Sequence, residues 1–166
     1  MGNDDSQDLA AIESVFTQWC AAWKNLDTEL MLSLYTKDDD LLVYQSEENR
    51  GPLYRRSQLE EYWVLALKIL KEILEWRVLS KKVSYLGDTA TIYVILNVLI
   101  DLHGMGQAPG ELRASLMLRK DEAGQWTIYH YHESRQLEIA QKTDMGMDDE
   151  LGVELPPRAP RPSRRK

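Results

Sequence analysis

The chain has 166 residues, a formal net charge of −7, 43% hydrophobic residues, five Trp, eight Tyr and a single Cys. That length suits one domain, and a folded part of about 130 residues buries roughly two thirds of its unfolded surface, so no second core is required. The longest apolar run, Ile92 to Leu102, is broken by Asn97 and Asp101, which excludes a membrane-spanning helix, and the lone Cys20 excludes an intrachain disulfide framework.

The start, MGNDDSQD, is acidic and lacks the basic and apolar regions of a secretory leader. A single cysteine fits a reducing compartment, so a cytoplasmic location is expected, with no membrane partner. The last eleven residues, PPRAPRPSRRK, carry five positive charges, which leaves −12 on the other 155 (−7 − 5). The globular part should therefore repel nucleic acid, which is not an expected partner.

Leu9, Ile12, Phe16, Trp19 and Trp23 recur at helical spacing and predict a first helix ending near Asn25. Asp27 restarts a short second helix with the face Leu30, Met31, Leu34 and Tyr35; Asp38-Asp39-Asp40 ends it, and Leu41 to Tyr44 reads as a short strand. Gly51-Pro52 marks a turn. Ser57 and Glu60 then have the spacing of a capping box ahead of a third helix carrying Leu59, Tyr62, Trp63, Ala66, Leu67, Leu70 and Ile73. From Glu75 the apolar period changes to two, predicting strands over 75–86, 89–102 and 111–120. Gly87-Asp88 joins the first pair tightly, and His103 to Gly110 makes a looser hairpin. A last strand covers 125–134. Helices followed by an antiparallel meander mark an α+β fold, with N-terminal helices packed on one face of the sheet. The expected organisation is one domain over 1–137, then a tail without fixed structure over 138–166, first acidic and then rich in Pro and Arg.

Leu112-Arg113, Leu116 to Arg119, Gly124-Gln125-Trp126 and the run Ile128-Tyr129-His130-Tyr131-His132-Glu133-Ser134 resemble the closing hairpin of the nuclear transport factor 2-like superfamily. The match is to its SnoaL-like branch and to the association (hub) domain of calcium/calmodulin-dependent kinases. Trp23 to Asp27, Tyr35 to Tyr44 and the Gly51-Pro52 turn fall in the order this superfamily uses, so the resemblance covers about residues 10–135. It implies a cone-shaped pocket enclosed by helices and a curved sheet, and self-association through the other sheet face as a homodimer or larger ring. With Arg113 inward, as in hub domains, alternation puts Ser115 and Met117 beside it and Leu112, Ala114, Leu116 and Leu118 outside. The same parity puts Tyr93, Asn97, Asp101, Tyr129, Tyr131 and Glu133 inside, and Ile128, His130 and His132 outside.

On that reading Trp23, Tyr44, Trp63, Tyr93, Tyr129 and Tyr131 line the cone, with Asn97 and Arg113 as polar groups, and suit a small, partly apolar ligand. The alternative is that the aromatics simply fill the interior. Arg113 near Glu133 would either hold a carboxylate or carbonyl, or form an internal ion pair. Enzymes of the superfamily, such as ketosteroid isomerases, polyketide cyclases and dehydratases, abstract a proton with a buried acid and stabilise an enolate. The resemblance thus implies Asp101 or Glu133 as base, with Tyr93 or Tyr129 donating. His130 and His132 share a strand face without a third ligand, so no metal is expected. No phosphate-binding glycine loop, nucleophile elbow or zinc-ligand cluster is present, and no cofactor is expected. The leading expectation is a small-molecule-binding, self-associating domain. The alternatives are an isomerase, cyclase or dehydratase acting next to a carbonyl, and a hub-like scaffold.

Overall fold

The computed structural model describes residues 3–135. The expected tail, 138–166, lies outside the described residues. Helix α1 (Asn3–Asn25) turns Ile12, Val15, Phe16, Trp19, Ala22 and Trp23 into the core, while Leu9 stays largely exposed. It closes at Leu26, which adopts φ +52°, as Asp27 N–H bonds back to the Ala22 carbonyl at 2.9 Å. Asp27 then caps α2 (Thr28–Ser33) by accepting from Leu30 N–H at 2.9 Å.

Strand β1 (Val43–Gln45) precedes α3 (Arg56–Ile69). The start of α3 is not held by Ser57 and Glu60. The Gln58 side-chain carbonyl accepts from Tyr54 and Arg55 N–H, each at 3.1 Å, and Asp39 accepts from Arg56 N–H at 2.7 Å. The helix also stops earlier than its apolar spacing suggests. Leu70 and Ile73 belong to β2 (Leu70–Leu86), because a short apolar run reads equally as helix or strand. Strands β3 (Thr89–Leu102), β4 (Gly106–Lys120) and β5 (Trp126–Arg135) complete the sheet. A two-residue turn joins β2 to β3, with Gly87 at φ +58°. The β3–β4 turn is tighter than expected, because β4 starts at Gly106. Among the described residues β5 pairs no further along β4 than Leu112, so Pro109 interrupts no described pairing on that side.

The strand order is β1-β5-β4-β3-β2. All neighbours are antiparallel except β1, which runs parallel to β5 and pairs Tyr44 with Tyr131. The segment after α2 adds to the same strand, with Thr36 N–H donating to the Ile128 carbonyl (2.9 Å) and Ile128 N–H to that of Leu34 (2.8 Å). Asp8 clamps the front of α1 to the sheet by accepting from Lys120 Nζ (2.7 Å) and Trp126 Nε1 (3.1 Å).

The face that meets the helices is the reverse of the one inferred from Arg113. On β3 the buried set is Ala90, Ile92, Val94, Leu96, Val98 and Ile100; on β4 it is Leu112, Ala114, Leu116 and Leu118. Tyr93, Asn97, Asp101 and Arg113 therefore sit on the outer face. The cause is hydrophobic: one alternating set is wholly apolar and each strand buries that set in the core it shares with the helices. On β5 the correction is partial. A bulge between the Leu118–Ile128 and Met117–His130 pairs shifts the phase by one residue at Tyr129. Ile128 thus points inward, Tyr131 and Glu133 point inward as expected, and Tyr129 leaves the interior. Among the described residues no helix is long and apolar enough to cross a membrane.

Candidate functional site

Between the helices and the inner sheet face lies a continuous aromatic interior. Trp76 of β2 stacks on Trp23 (ring centroids 5.5 Å), which meets Trp63 of α3 edge-on at 4.7 Å. Tyr62 follows at 5.7 Å from Trp63, then Tyr44 of β1 at 5.1 Å and Tyr131 of β5 stacked on Tyr44 at 4.9 Å. Tyr35 and Trp19 close the group against Tyr131, at 6.4 and 5.9 Å. Tyr44 and Tyr131 share a face because β1 pairs with β5 in register, so a parallel strand far away in sequence builds the phenol cluster.

At the β5 end this interior turns polar. The Tyr131 hydroxyl donates to Glu133, two residues on and on the same face; the Tyr62 hydroxyl donates to Glu48; Arg135 pairs with Glu47 at 2.5 Å. Glu133 is only 6% exposed. Burial pushes its carboxyl up to about 7; the Tyr131 hydrogen bond opposes that rise and the charges of Glu48 and Glu47 add to it. Burial, with the nearby acids and phenols, also pushes the hydroxyls of Tyr35, Tyr44 and Tyr131 well above the ordinary range, so all three stay protonated at neutral pH. Tyr44 Oη, Trp23 Nε1 and Trp63 Nε1 are buried without a hydrogen-bond partner among the described residues. Unpaired buried donors are costly and uncommon. Chemically, the cluster joins one carboxyl poised near neutrality to phenols that keep a proton to donate at that pH.

The residues proposed from sequence divide accordingly. Trp23, Tyr44, Trp63, Tyr131 and Glu133 come together in the interior. Tyr93 lies 41% exposed on the other side, and Asn97 and Arg113 share that outer face. Arg113 pairs across the ladder with Ser134, not with Glu133, so neither of its two inward roles, holding a ligand or pairing with Glu133, fits its place. Asp101 is bound to Lys71 at 2.7 Å near the end of the β3–β4 hairpin. The Tyr129 hydroxyl donates to the Met117 sulfur at 3.8 Å, outside the interior. His130 and His132 are on the outer face, and among the described residues no three metal-ligating side chains gather. Trp19, Tyr35, Tyr62, Trp76 and Glu48 belong to the cluster and were read only as helix stripe, strand or loop. Their signal was the density of Tyr and Trp on the helical stripes, since buried phenols and indoles need polar partners.

A family model described as the SnoaL-like domain matches residues 12–138. The chain belongs to the SnoaL-like domain family. Solved structures share the fold of this SnoaL-like domain. A nuclear transport factor 2-like superfamily protein from Salmonella enterica serovar Typhimurium has a TM-score of 0.72 at 17% identity, covering 86% of this chain and 97% of that one. A ketosteroid isomerase-like protein from Erwinia carotovora atroseptica gives 0.66 at 19%, with 78% and 97% covered. A candidate calcium/calmodulin-dependent protein kinase II association domain from Xanthomonas campestris gives 0.64 at 20%, with 77% and 87% covered. No curated protein matches the sequence. At these identities the likeness carries the fold, and the chemistry has to be argued from the residues.

Proposed function

We propose that the aromatic interior of this SnoaL-like domain binds a small, partly apolar molecule and that Glu133 moves a proton on it, next to a carbonyl group. The observation that carries this reading is the buried Glu133 carboxyl, pushed up to about 7 and held by the Tyr131 hydroxyl at the polar end of the aromatic cluster. A carboxyl raised toward neutrality is a stronger base than an ordinary one and still partly ionised at neutral pH, which suits it to take a proton from carbon. The Tyr44 hydroxyl, buried and without a hydrogen-bond partner among the described residues, supplies a donor for the oxygen of an enolate. The ketosteroid isomerase-like neighbour is consistent with this chemistry. Asp101 lies on the outer face, away from the aromatic cluster, and is tied to Lys71.

The test is proton exchange. A panel of aryl ketones in heavy water, followed by NMR, should lose the hydrogens beside the carbonyl faster with the protein than with buffer. Glu133→Gln should abolish the gain and Asp101→Asn should leave it intact. Buffer-level exchange with the wild type, or equal exchange in Glu133→Gln, overturns the assignment.

A second reading is favoured by the outer sheet face, where Tyr93 is exposed and Ile95, Leu99 and Met117 are half-buried in the single chain. A cover for this face by a second copy fits the neighbour described as a candidate association domain. Native mass spectrometry should then find a dimer or ring, and Ile95→Asp should release monomer; a monomeric wild type at micromolar concentration removes this reading.

A further inference from the structure

The charge at the polar end of the interior is one-sided. Glu133 and Glu48 accept from the hydroxyls of Tyr131 and Tyr62, whose rings both pack on Tyr44; Glu47 is paired with Arg135, and among the described residues neither Glu48 nor Glu133 has an ion-pair partner. Independently, the Tyr44 hydroxyl is 0% exposed, has no hydrogen-bond partner among the described residues, and lies within the field of Tyr62, Tyr35, Tyr131 and Glu133. The rings of Tyr35, Tyr44, Tyr62 and Tyr131 pack together beside these groups.

Resting on the ligand-site reading above, we propose that the molecule bound here is a small organic cation, a protonated amine carried on a flat apolar body, and that the matching carboxylate is turned away. Aromatic faces attract cations through their quadrupoles, more strongly where water is excluded. Two carboxylates without a cationic partner among the described residues attract an ammonium and repel an anion, and their reach is longer in a partly buried site than at a surface. A phenol both donates and accepts, so Tyr44 can take a hydrogen bond from an ammonium as readily as it gives one to a carbonyl. The indoles of Trp23 and Trp63 supply the apolar wall for the body of the ligand.

A pH signature follows. The groups facing Glu133 are Tyr131 and Arg135 of its own strand, Tyr44 of β1, Glu47 and Glu48 beyond β1, Tyr35 after α2 and Tyr62 of α3. Ala114, its partner on β4, does not titrate, and His130 and His132 face the other way. A bound cation favours the ionised form of Glu133, so binding near neutrality expels a proton and amine affinity rises with pH through about 7. An uncharged ligand does not drive this exchange.

The experiment is calorimetry of the full chain with three probes that share one ring: phenethylamine, 2-phenylethanol and phenylacetate. At about pH 8 an alkylammonium still carries its charge. The amine should then bind about tenfold or more tighter than the alcohol, a difference of about 1.4 kcal/mol, with phenylacetate weakest. The gap should narrow at about pH 6, where Glu133 is protonated. Glu133→Gln and Glu48→Gln should each shrink the gap while alcohol binding persists, which also shows that the variants are folded. An alcohol that binds as well as the amine, or a carboxylate that binds best, overturns the cation selection and leaves the ligand site standing. If none of the three binds, the site and its selectivity fall together.

Discussion

The two faces of the same strands make opposite use of similar residues. On the inner face, Tyr131 and Glu133 are buried against stacked rings, and the carboxyl is driven toward neutrality. On the outer face, Tyr93 stands exposed, and the acid Asp101 is paired with Lys71. Side-chain chemistry is nearly the same on both sides, so what poises Glu133 is its dielectric surroundings and its fixed neighbours.

The largest expected effect on that contrast comes from cutting the inner face. Trp19→Ala removes a fully buried indole that touches Phe16, Trp23, Trp76 and Tyr131. It should cost about 3–5 kcal/mol in denaturant unfolding, while Tyr93→Ala on the outer face should stay within about 1 kcal/mol. A similar cost at both positions would mean the outer face is covered in solution.

Glu133→Gln should stabilise the protein at alkaline pH. Because the folded carboxyl is raised from 4.5 to about 7, the folded state binds more protons than the unfolded one between those values. Stability therefore falls as pH rises through that window and stays lower above it. Glutamine, which never ionises, should recover up to about 3 kcal/mol at about pH 8 and almost nothing below about pH 4.5. Thermal melts of both proteins across pH decide this; a pH-independent difference would show that the carboxyl is not buried as described.

Asp27→Ala removes the cap of α2 and should cost about 1 kcal/mol by chemical denaturation, since α2 leads into the Leu34–Ile128 pairing that places Tyr35. Smallest of all, Asp101→Asn on the outer face loses a solvent-exposed ion pair and should shift stability by less than about 0.5 kcal/mol. A larger loss would give Asp101 a role that its surroundings do not explain.

Much of the fold was legible from periodicity. The switch from helical spacing to alternation, the Gly87-Asp88 turn and the aromatic stripe of α1 are local signals, and they place the elements within a few residues. The site was legible in part. Trp23, Tyr44, Trp63, Tyr131 and Glu133 were named, yet Asp101, Tyr93, Asn97, Tyr129 and Arg113 were grouped with them through a parity taken from one arginine. The apolar purity of Ile92, Val94, Leu96, Val98 and Ile100 was the better guide, because burial acts on the whole alternating set and a single charged residue can be left at the surface.

By itself, the sequence determined the α+β class, the SnoaL-like resemblance and the wealth of aromatic side chains available for an interior, because those depend on neighbours a few residues apart. Only the tertiary structure decided which face they fill. The parallel pairing of β1 with β5 stacks Tyr44 on Tyr131, and the bulge at Tyr129 changes the phase of one strand partway along. Both arise from contacts across the ladder, which no local pattern records, and a shift of one residue there carries every side chain to the opposite face.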